Sequence, residues 1–497
     1  MEVRCAPTPQ AGDRNFARNR LVSNPLTMLP LALAARRGTV DGMPAAQLVA
    51  AGLALLQRSA TVARALYGRR AAMLLPTSPQ FLIALAAAEG RSVVLLNPLA
   101  TPAELAYQLA DSNVGAVFTL ASLSEKLPRS LPLVLLDDAP QQASILVDGA
   151  ITTVDLGSHI GLELEGEEEA DGSHDEAAVV YTSAMEGQPL GAVLTHHSLL
   201  SNGWATVSAA RITSHDHALA VLPFSHLFGM TVTLTAPLLA GARVTTMGRF
   251  NPIKAVDALV EQQITMLVGV PAVFIGMLAA IERRGGTIDV PALRVCICGG
   301  AALPVWVQRK WESATGCALR QGYGLTETSP VCLFNHVDSP NRTGTLGTAY
   351  PDADVSIRNP TTSAELPACV SGEICVRGPL VGPGYVSGGE RGLRRVNGWL
   401  HTGDQGSMDA DGVVTFEGLI KPMFTRNGFN IYPAELVRVI GELHGVTAVE
   451  VISVPEPSKE HEIEITVHGS VDEASVRSWC EERLSTYKQP SRITIVA

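Results

Sequence analysis

Short apolar runs alternate with amphipathic stretches along most of this chain, the pattern of strands and helices in parallel α/β sheets. Residues 71–75 and 93–96 are apolar runs of strand length, and 78–89 between them has helical spacing. Thr101, Pro102, Ala103 and Glu104 form a capping-box sequence with proline at the first helical position, so a helix is predicted from there to about 111. Runs at 116–120 and 133–136 continue the alternation. A strand at 177–181 follows an acidic stretch, and after it a second α/β series has strands at 219–222, 266–270 and 293–298, with helical stretches at 251–262 and 273–284. From about residue 352 the pattern changes to short alternating strands (355–358, 372–377) with Gly/Pro turns, which predicts a small antiparallel β unit. Beyond about 419, Asn427-Gly428 between two apolar runs is a hairpin signal, Pro433 opens a helix, 449–454 and 463–467 read as strands, and 472–484 as a helix. The expected fold class is therefore α/β. A large N-terminal domain of parallel α/β sheets plus a small β unit covers 1–418, and a small α+β C-terminal domain covers 419–497.

The length of 497 residues suggests two to four structural units, and a hydrophobic fraction of 46% with 17% charged residues fits large buried sheets. A net charge of −11 without a basic run argues against nucleic-acid binding. The eight cysteines are scattered, which points to reduced thiols and a cytoplasmic protein. Residues 14–20 followed by 26–35 imitate a signal peptide but are interrupted by Pro25 and Pro30, and the reading is an amphipathic first helix. Residues 218–242 are long and apolar enough to span a bilayer, yet Pro223, His226, Gly229, Pro237 and Gly241 punctuate them. A buried loop and helix beside a pocket is expected there, with no membrane span. The acidic stretch 161–176 reads as a solvated linker.

Four segments carry candidate chemistry. Residues 181–191 have the outline of a phosphate-cradling loop, with the hydroxyls of Thr182 and Ser183 and the glycines Gly187 and Gly191. In 321–327, Gly322 and Gly324 flank Tyr323, so backbone and ring can both approach a flat ligand. Thr326 can donate to a phosphate there, and Glu327 can hold Mg2+. Asp404, in a His-Thr-Gly-Asp loop from His401, can accept both hydroxyls of a ribose. Gly299, Gly300, Ala301 and Ala302 end an apolar strand with no bulky side chain, leaving room for a base or an acyl group.

In this order and spacing, these segments resemble the adenylate-forming superfamily: acyl-CoA synthetases, adenylation domains of peptide synthetases, and luciferases. Segments 96–98, 101–112, 222–228, 382–385 and 431–435 add to the likeness, which runs from about Asn24 to the C-terminus and is nearest to the acyl- and aryl-CoA ligase branch. The resemblance implies two half-reactions. A carboxylate attacks the α-phosphate of ATP to give an acyl-adenylate and pyrophosphate; a thiol of coenzyme A or of a phosphopantetheine on an acyl carrier protein then displaces AMP. It also implies a mobile C-terminal domain turning about a hinge at Lys421. Carried over residue by residue, Thr182, Ser183, Gly300, Ala301, Tyr323, Thr326 and Asp404 would bind nucleotide and Glu327 the Mg2+. His226, Gly299, Ala302 and Gly324 would form the acyl pocket. Thr326, Glu327 and His226 would be the catalytic set.

The chain departs from that pattern where phosphate is handled. Ala184, Met185 and Glu186 stand where the family has Gly-Thr-Thr, Leu190 replaces a lysine, and Leu419 replaces an arginine. The sequence also reaches Ala497 before the family's catalytic Gly-Lys, leaving Lys488 as the nearest lysine. Each lost charge-assisted hydrogen bond removes roughly 1.5–3 kcal/mol. The expectation is an acyl-CoA or acyl-carrier-protein ligase-like enzyme acting on a carboxylic acid or its acyl thioester, with a weakened ATP half-reaction. Two alternatives stand beside it: an ATP-independent acyl-thioester or acyl-adenylate hydrolase or transferase, and a non-catalytic acyl- or nucleotide-binding homologue.

Overall fold

The computed structural model describes residues 33, 37–88, 91–156, 176–182, 189–386, 392–420 and 423–496. Two nine-stranded sheets make up most of the N-terminal part of the chain. In one, Arg243–Thr246, His217–Ala220, Met266–Gly269, Val295–Cys298 and Leu319–Gly324 lie side by side and parallel. In the other, Glu176–Thr182, Val93–Leu95, Arg70–Leu74, Val114–Thr119 and Leu133–Leu135 do the same. Strands covered on both faces need apolar side chains throughout, and the burial of all four residues of Val295–Cys298 and all six of Val114–Thr119 follows that rule.

The capping box at Thr101 is formed as the sequence predicts. Thr101 accepts from the Glu104 N–H, Glu104 accepts from the Thr101 N–H at 2.8 Å, and the helix runs Pro102–Asp111. The apolar stretch at 218–242 begins in the strand His217–Ala220 and ends in the π-helical turn Phe228–Thr235 and the helix Ala236–Leu239, all buried. Among the described residues no helix is long and apolar enough to cross a membrane. The hairpin of Gln142–Val147 and Ala150–Asp155 extends the second sheet antiparallel, beyond the strands read from sequence. Its outer strand is largely exposed, so it lacks the apolar run that marks the buried strands. The proposed first helix at 26–35, apart from Leu33, and nearly all of the acidic linker lie outside the described residues.

The small β unit is a five-stranded antiparallel sheet built on Gly372–Arg377, Trp399–Met408 and Val414–Leu419. The C-terminal part holds the hairpin Phe424–Arg426/Phe429–Ile431, a three-stranded sheet, and the helices Pro433–Gly441 and Glu473–Arg483 around its own apolar core. The helix Ala45–Arg58 packs so closely on Gln80–Ala87 that a Cβ at Gly52 would lie 2.2 Å from the Ile83 carbonyl oxygen. That atom is backbone and cannot swing away. Gly52→Ala should therefore lose about 1–3 kcal/mol, read as a lower thermal or urea midpoint of the N-terminal domain.

Candidate active site

Val295–Cys298 and Leu319–Gly324 are neighbouring parallel strands, so the loops that follow them emerge at the same sheet edge. Ligands of parallel α/β sheets bind beyond the carboxyl ends of the strands. Here those loops, together with the β unit and the C-terminal hairpin, enclose a cavity of about 340 Å³. Gly300 takes φ +78°, a left-handed conformation open to glycine at little cost, and Ala301 and Ala302 line the cavity without filling it.

Asp404 reaches the cavity from the β unit and is 5% exposed. Tyr323 donates to Asp404 Oδ2 at 2.6 Å. Burial and the adjacent Asp404 push the Tyr323 hydroxyl well above the ordinary phenol range, so it stays a donor. Asp404 lies within the strand Trp399–Met408, where the sequence suggested a loop, and Glu373 on the neighbouring strand holds that segment. One Glu373 oxygen accepts from the Gly403 N–H at 2.9 Å, and the other lies 2.7 Å from His401 Nδ1. Glu373, Cys375 and His401 are buried and close enough to hold a metal ion. The Arg394 guanidinium, however, already stands 3.0 Å from His401 Nδ1, so we read the cluster as a brace for Asp404.

Glu327 lines the same cavity. Its Oε1 accepts from the Tyr385 hydroxyl at 2.7 Å, and its backbone carbonyl accepts from the Gly382 N–H at 2.9 Å. The Leu393 N–H in turn donates to the Tyr385 hydroxyl at 3.1 Å. Glu327 Oε2 is the oxygen left for a divalent cation, and a buried carboxylate fixed at its other oxygen suits Mg2+, a hard cation that prefers oxygen ligands.

Thr182, Gly300, Ala301, Ala302, Tyr323, Gly324, Thr326, Glu327 and Asp404 all line this one cavity. Ser183 and Lys421 lie outside the described residues, as do Ala184, Met185 and Glu186. The four residues grouped as an acyl pocket are not all found in the described lining of one cavity. Ala302 and Gly324 line the large one, whereas a Cβ on Gly299 would press on the Gly322 carbonyl oxygen and the Phe228 ring. His226 lines a second cavity of about 100 Å³, which Thr182, Thr326 and Asn430 also border. His226 Nδ1 accepts from the Phe228 N–H at 3.2 Å, and burial lowers its pKa to about 4, so the ring is neutral at physiological pH.

Leu190 and Leu419, singled out in the sequence as departures from the family pattern, border the large cavity. Met423, Phe424, Asn430 and Tyr432 from the C-terminal part also border it and escaped the sequence reading. Tyr385 and Glu373 act through partners 58 and 30 residues away, contacts that leave no local periodicity. Among the described lining residues of the large cavity there is no lysine or arginine, although Glu327 and Asp404 are both acids.

The profile of the AMP-binding enzyme family matches residues 54–386, and the chain belongs to that family. It is an acyl-CoA-ligase-like member of the adenylate-forming enzymes. The long-chain-fatty-acid–CoA ligase of Bacillus subtilis is 29% identical over 458 residues, 85% of this chain and 81% of that protein. A 4-coumarate–CoA ligase of Humulus lupulus is 28% identical over 440 residues, 84% of this chain and 79% of its own length. A malonyl-CoA ligase solved as a ternary product complex with methylmalonyl-CoA and AMP superposes with a TM-score of 0.75 at 26% identity, covering 94% of this chain and 96% of that one.

Two measurements follow from the geometry. Tyr323→Phe removes one hydrogen bond to a buried carboxylate, about 1–2 kcal/mol, so calorimetry should find AMP bound roughly tenfold more weakly. His226 has a folded pKa below its unfolded value of about 6.5, so the folded state takes up fewer protons. Its contribution to stability is complete above about pH 6.5 and is lost as pH falls toward 4. Unfolding midpoints measured across that window should fall more steeply for the natural protein than for His226→Asn.

Proposed function

We propose that this chain is an acid–thiol ligase that holds the adenylate part of its ligand firmly and the pyrophosphate part weakly. The observation that carries this reading is the Tyr323–Asp404 hydrogen bond in a cavity that Gly300, Ala301, Ala302, Thr326 and Glu327 also border. Asp404 would accept the ribose hydroxyls, the small residues and the Tyr323 ring would flank the base, and Thr326 would donate to the α-phosphate. Mg2+ on Glu327 would supply charge neutralisation at the phosphates. A carboxylate oxygen then attacks the α-phosphorus, the bond to pyrophosphate breaks, and an acyl-adenylate forms. In the second half a thiol, from coenzyme A or the phosphopantetheine of an acyl carrier protein, adds to the acyl carbon and AMP departs. The buried, unpaired cysteines among the described residues support a reducing, cytoplasmic setting.

A second reading rests on a separate observation. Leu190 and Leu419 line the cavity where the family resemblance puts a lysine and an arginine. A carboxylate about 4 Å from a phosphate charge with no intervening cation costs on the order of 4 kcal/mol at a surface-like dielectric. This favours an enzyme that takes up a ready-made acyl-adenylate or acyl thioester and transfers or hydrolyses it without ATP.

One experiment separates these readings from a non-catalytic role. The protein is given ATP, Mg2+ and a panel of fatty and aromatic acids, and pyrophosphate is measured. In parallel it is given synthetic acyl-adenylate with coenzyme A, and AMP is measured. The expected result is AMP formation on the order of 10²-fold faster than pyrophosphate release, the scale of one missing charge-stabilising donor. Pyrophosphate at background with every acid, beside active AMP release, would leave only the second reading; background in both would leave neither. Leu190→Lys should raise pyrophosphate release roughly 10- to 100-fold by restoring one charge-assisted hydrogen bond.

A further inference from the structure

Lys488 occupies a buried position between the two parts of the molecule. Its ammonium lies 2.7 Å from Glu435 Oε1, within the C-terminal part, and 3.0 Å from Glu104 Oε1 on the N-terminal helix Pro102–Asp111. The side chains of Lys488, Glu104 and Glu435 are only 6%, 10% and 3% exposed. Ser485 also donates to Glu104 Oε2, at 2.5 Å. Lys488 borders the smaller cavity and not the larger one, and two acids already take its charge. It is therefore poorly placed to act as a phosphate cation in this arrangement.

We propose that the Glu104–Lys488 ion pair is an interdomain tie that seats the C-terminal hairpin at the active site, making Glu104 and Lys488 positioning residues for thiol transfer. The inference rests on the ligase reading above. The mechanical link to the site is short. Tyr487 stacks on Phe429 of the hairpin, with ring centroids 4.1 Å apart and planes 17° from parallel. Arg426, at the other side of the hairpin, donates to the carbonyls of Tyr487 at 3.3 Å and Gln489 at 2.7 Å. The segment carrying Lys488 and the hairpin thus form one unit, and Asn430 of that hairpin borders both cavities.

The two halves of the cluster have different fates if the parts separate. Lys488–Glu435 lies inside the C-terminal part and survives separation. The bonds to Glu104 exist only in the closed arrangement. Burial works against charge on Lys488, but Glu435 and Glu104 outweigh it and raise its pKa, so the tie is ionic throughout the physiological range. The closed arrangement also indicates which step it serves. Met423, Phe424, Thr425, Asn430, Tyr432, Ser453 and His461 are the described C-terminal residues brought to the large cavity, and none is a lysine or arginine. Expulsion of pyrophosphate needs cations there, whereas transfer after pyrophosphate has left requires only that AMP depart.

Glu104→Gln is the informative variant, because glutamine still serves the capping box at Thr101 and so preserves the N-terminal helix while removing the charge. Hydrogen–deuterium exchange of the full chain should become at least fivefold faster in 424–431 and 485–489, with the strands of the N-terminal sheets unchanged. AMP release from synthetic acyl-adenylate and coenzyme A should slow at least tenfold more than pyrophosphate release from ATP. Lys488→Met should move both readouts in the same direction. Unchanged exchange in the hairpin of Glu104→Gln would overturn the tie, and equal slowing of both half-reactions would overturn its role in transfer. If neither the natural protein nor the variant releases AMP, the ligase reading falls, and the exchange measurement still decides whether the tie exists.

Discussion

The hydrogen bond from Tyr323 to Asp404 joins two sheets that share no strand. Tyr323 ends a strand of a parallel sheet in the N-terminal domain, and Asp404 lies on the antiparallel β unit. Asp404 is placed by its strand, Trp399–Met408, and this contact fixes its carboxylate toward Tyr323. Leaving a buried carboxylate without such a donor costs about 1–3 kcal/mol or more, so the pair favours one relative placement of the two sheets. Glu373 restricts the same strand from the opposite side by holding the Gly403 N–H. A binding carboxylate fixed on both sides loses little freedom when ligand hydroxyls arrive, and this is how preorganisation raises affinity.

The electrostatics of the cavity follow from that framework. Glu327 and Asp404 are both retained and both buried, and each is matched by a neutral tyrosine hydroxyl, from Tyr385 and Tyr323 respectively. Neutral donors stabilise a carboxylate without cancelling its charge, so the cavity keeps a negative character. Glu327 would hold a divalent cation that neutralises phosphate charge, and Arg395 interacts electrostatically with Glu327, while the described lining itself offers no lysine or arginine to a longer phosphate chain. On the reading proposed above, an asymmetry between adenylate and pyrophosphate would follow from the charge balance of the described lining.

Much of the fold and part of the site could be read from the residues alone. The buried strands announce themselves as continuous apolar runs, and Thr101–Glu104 folds as its capping chemistry dictates. Tyr323, Thr326, Glu327 and Asp404 were found because each sits in a short glycine-containing segment whose residue types restrict the chemistry. Tyr385, Glu373 and the hairpin residues were not, because their roles come from partners distant in sequence. His226 marks the boundary between the two cases. Its neighbours in sequence suggested a pocket, and packing places it on a smaller cavity that shares Thr182, Thr326 and Asn430 with the one lined by Ala302 and Gly324.

Lys488 shows most clearly how position in sequence and chemical role can part. By sequence it is the lysine nearest to where the family resemblance requires one, and a free lysine there would be a candidate for phosphate stabilisation. In the fold its charge is already engaged. Two carboxylates within 3.0 Å leave the cluster with an excess negative charge, so moving the ammonium toward a phosphate would expose Glu104 and Glu435 to each other in a buried setting. Removing one partner from a buried ion cluster costs about 3–5 kcal/mol, comparable to what a single phosphate contact returns. The balance favours keeping Lys488 between its acids. The same penalty makes the cluster responsive to domain separation, since only there can Glu104 recover water while Lys488 keeps Glu435. A cation held this way does no phosphate chemistry itself, yet it fixes the surface against which that chemistry takes place.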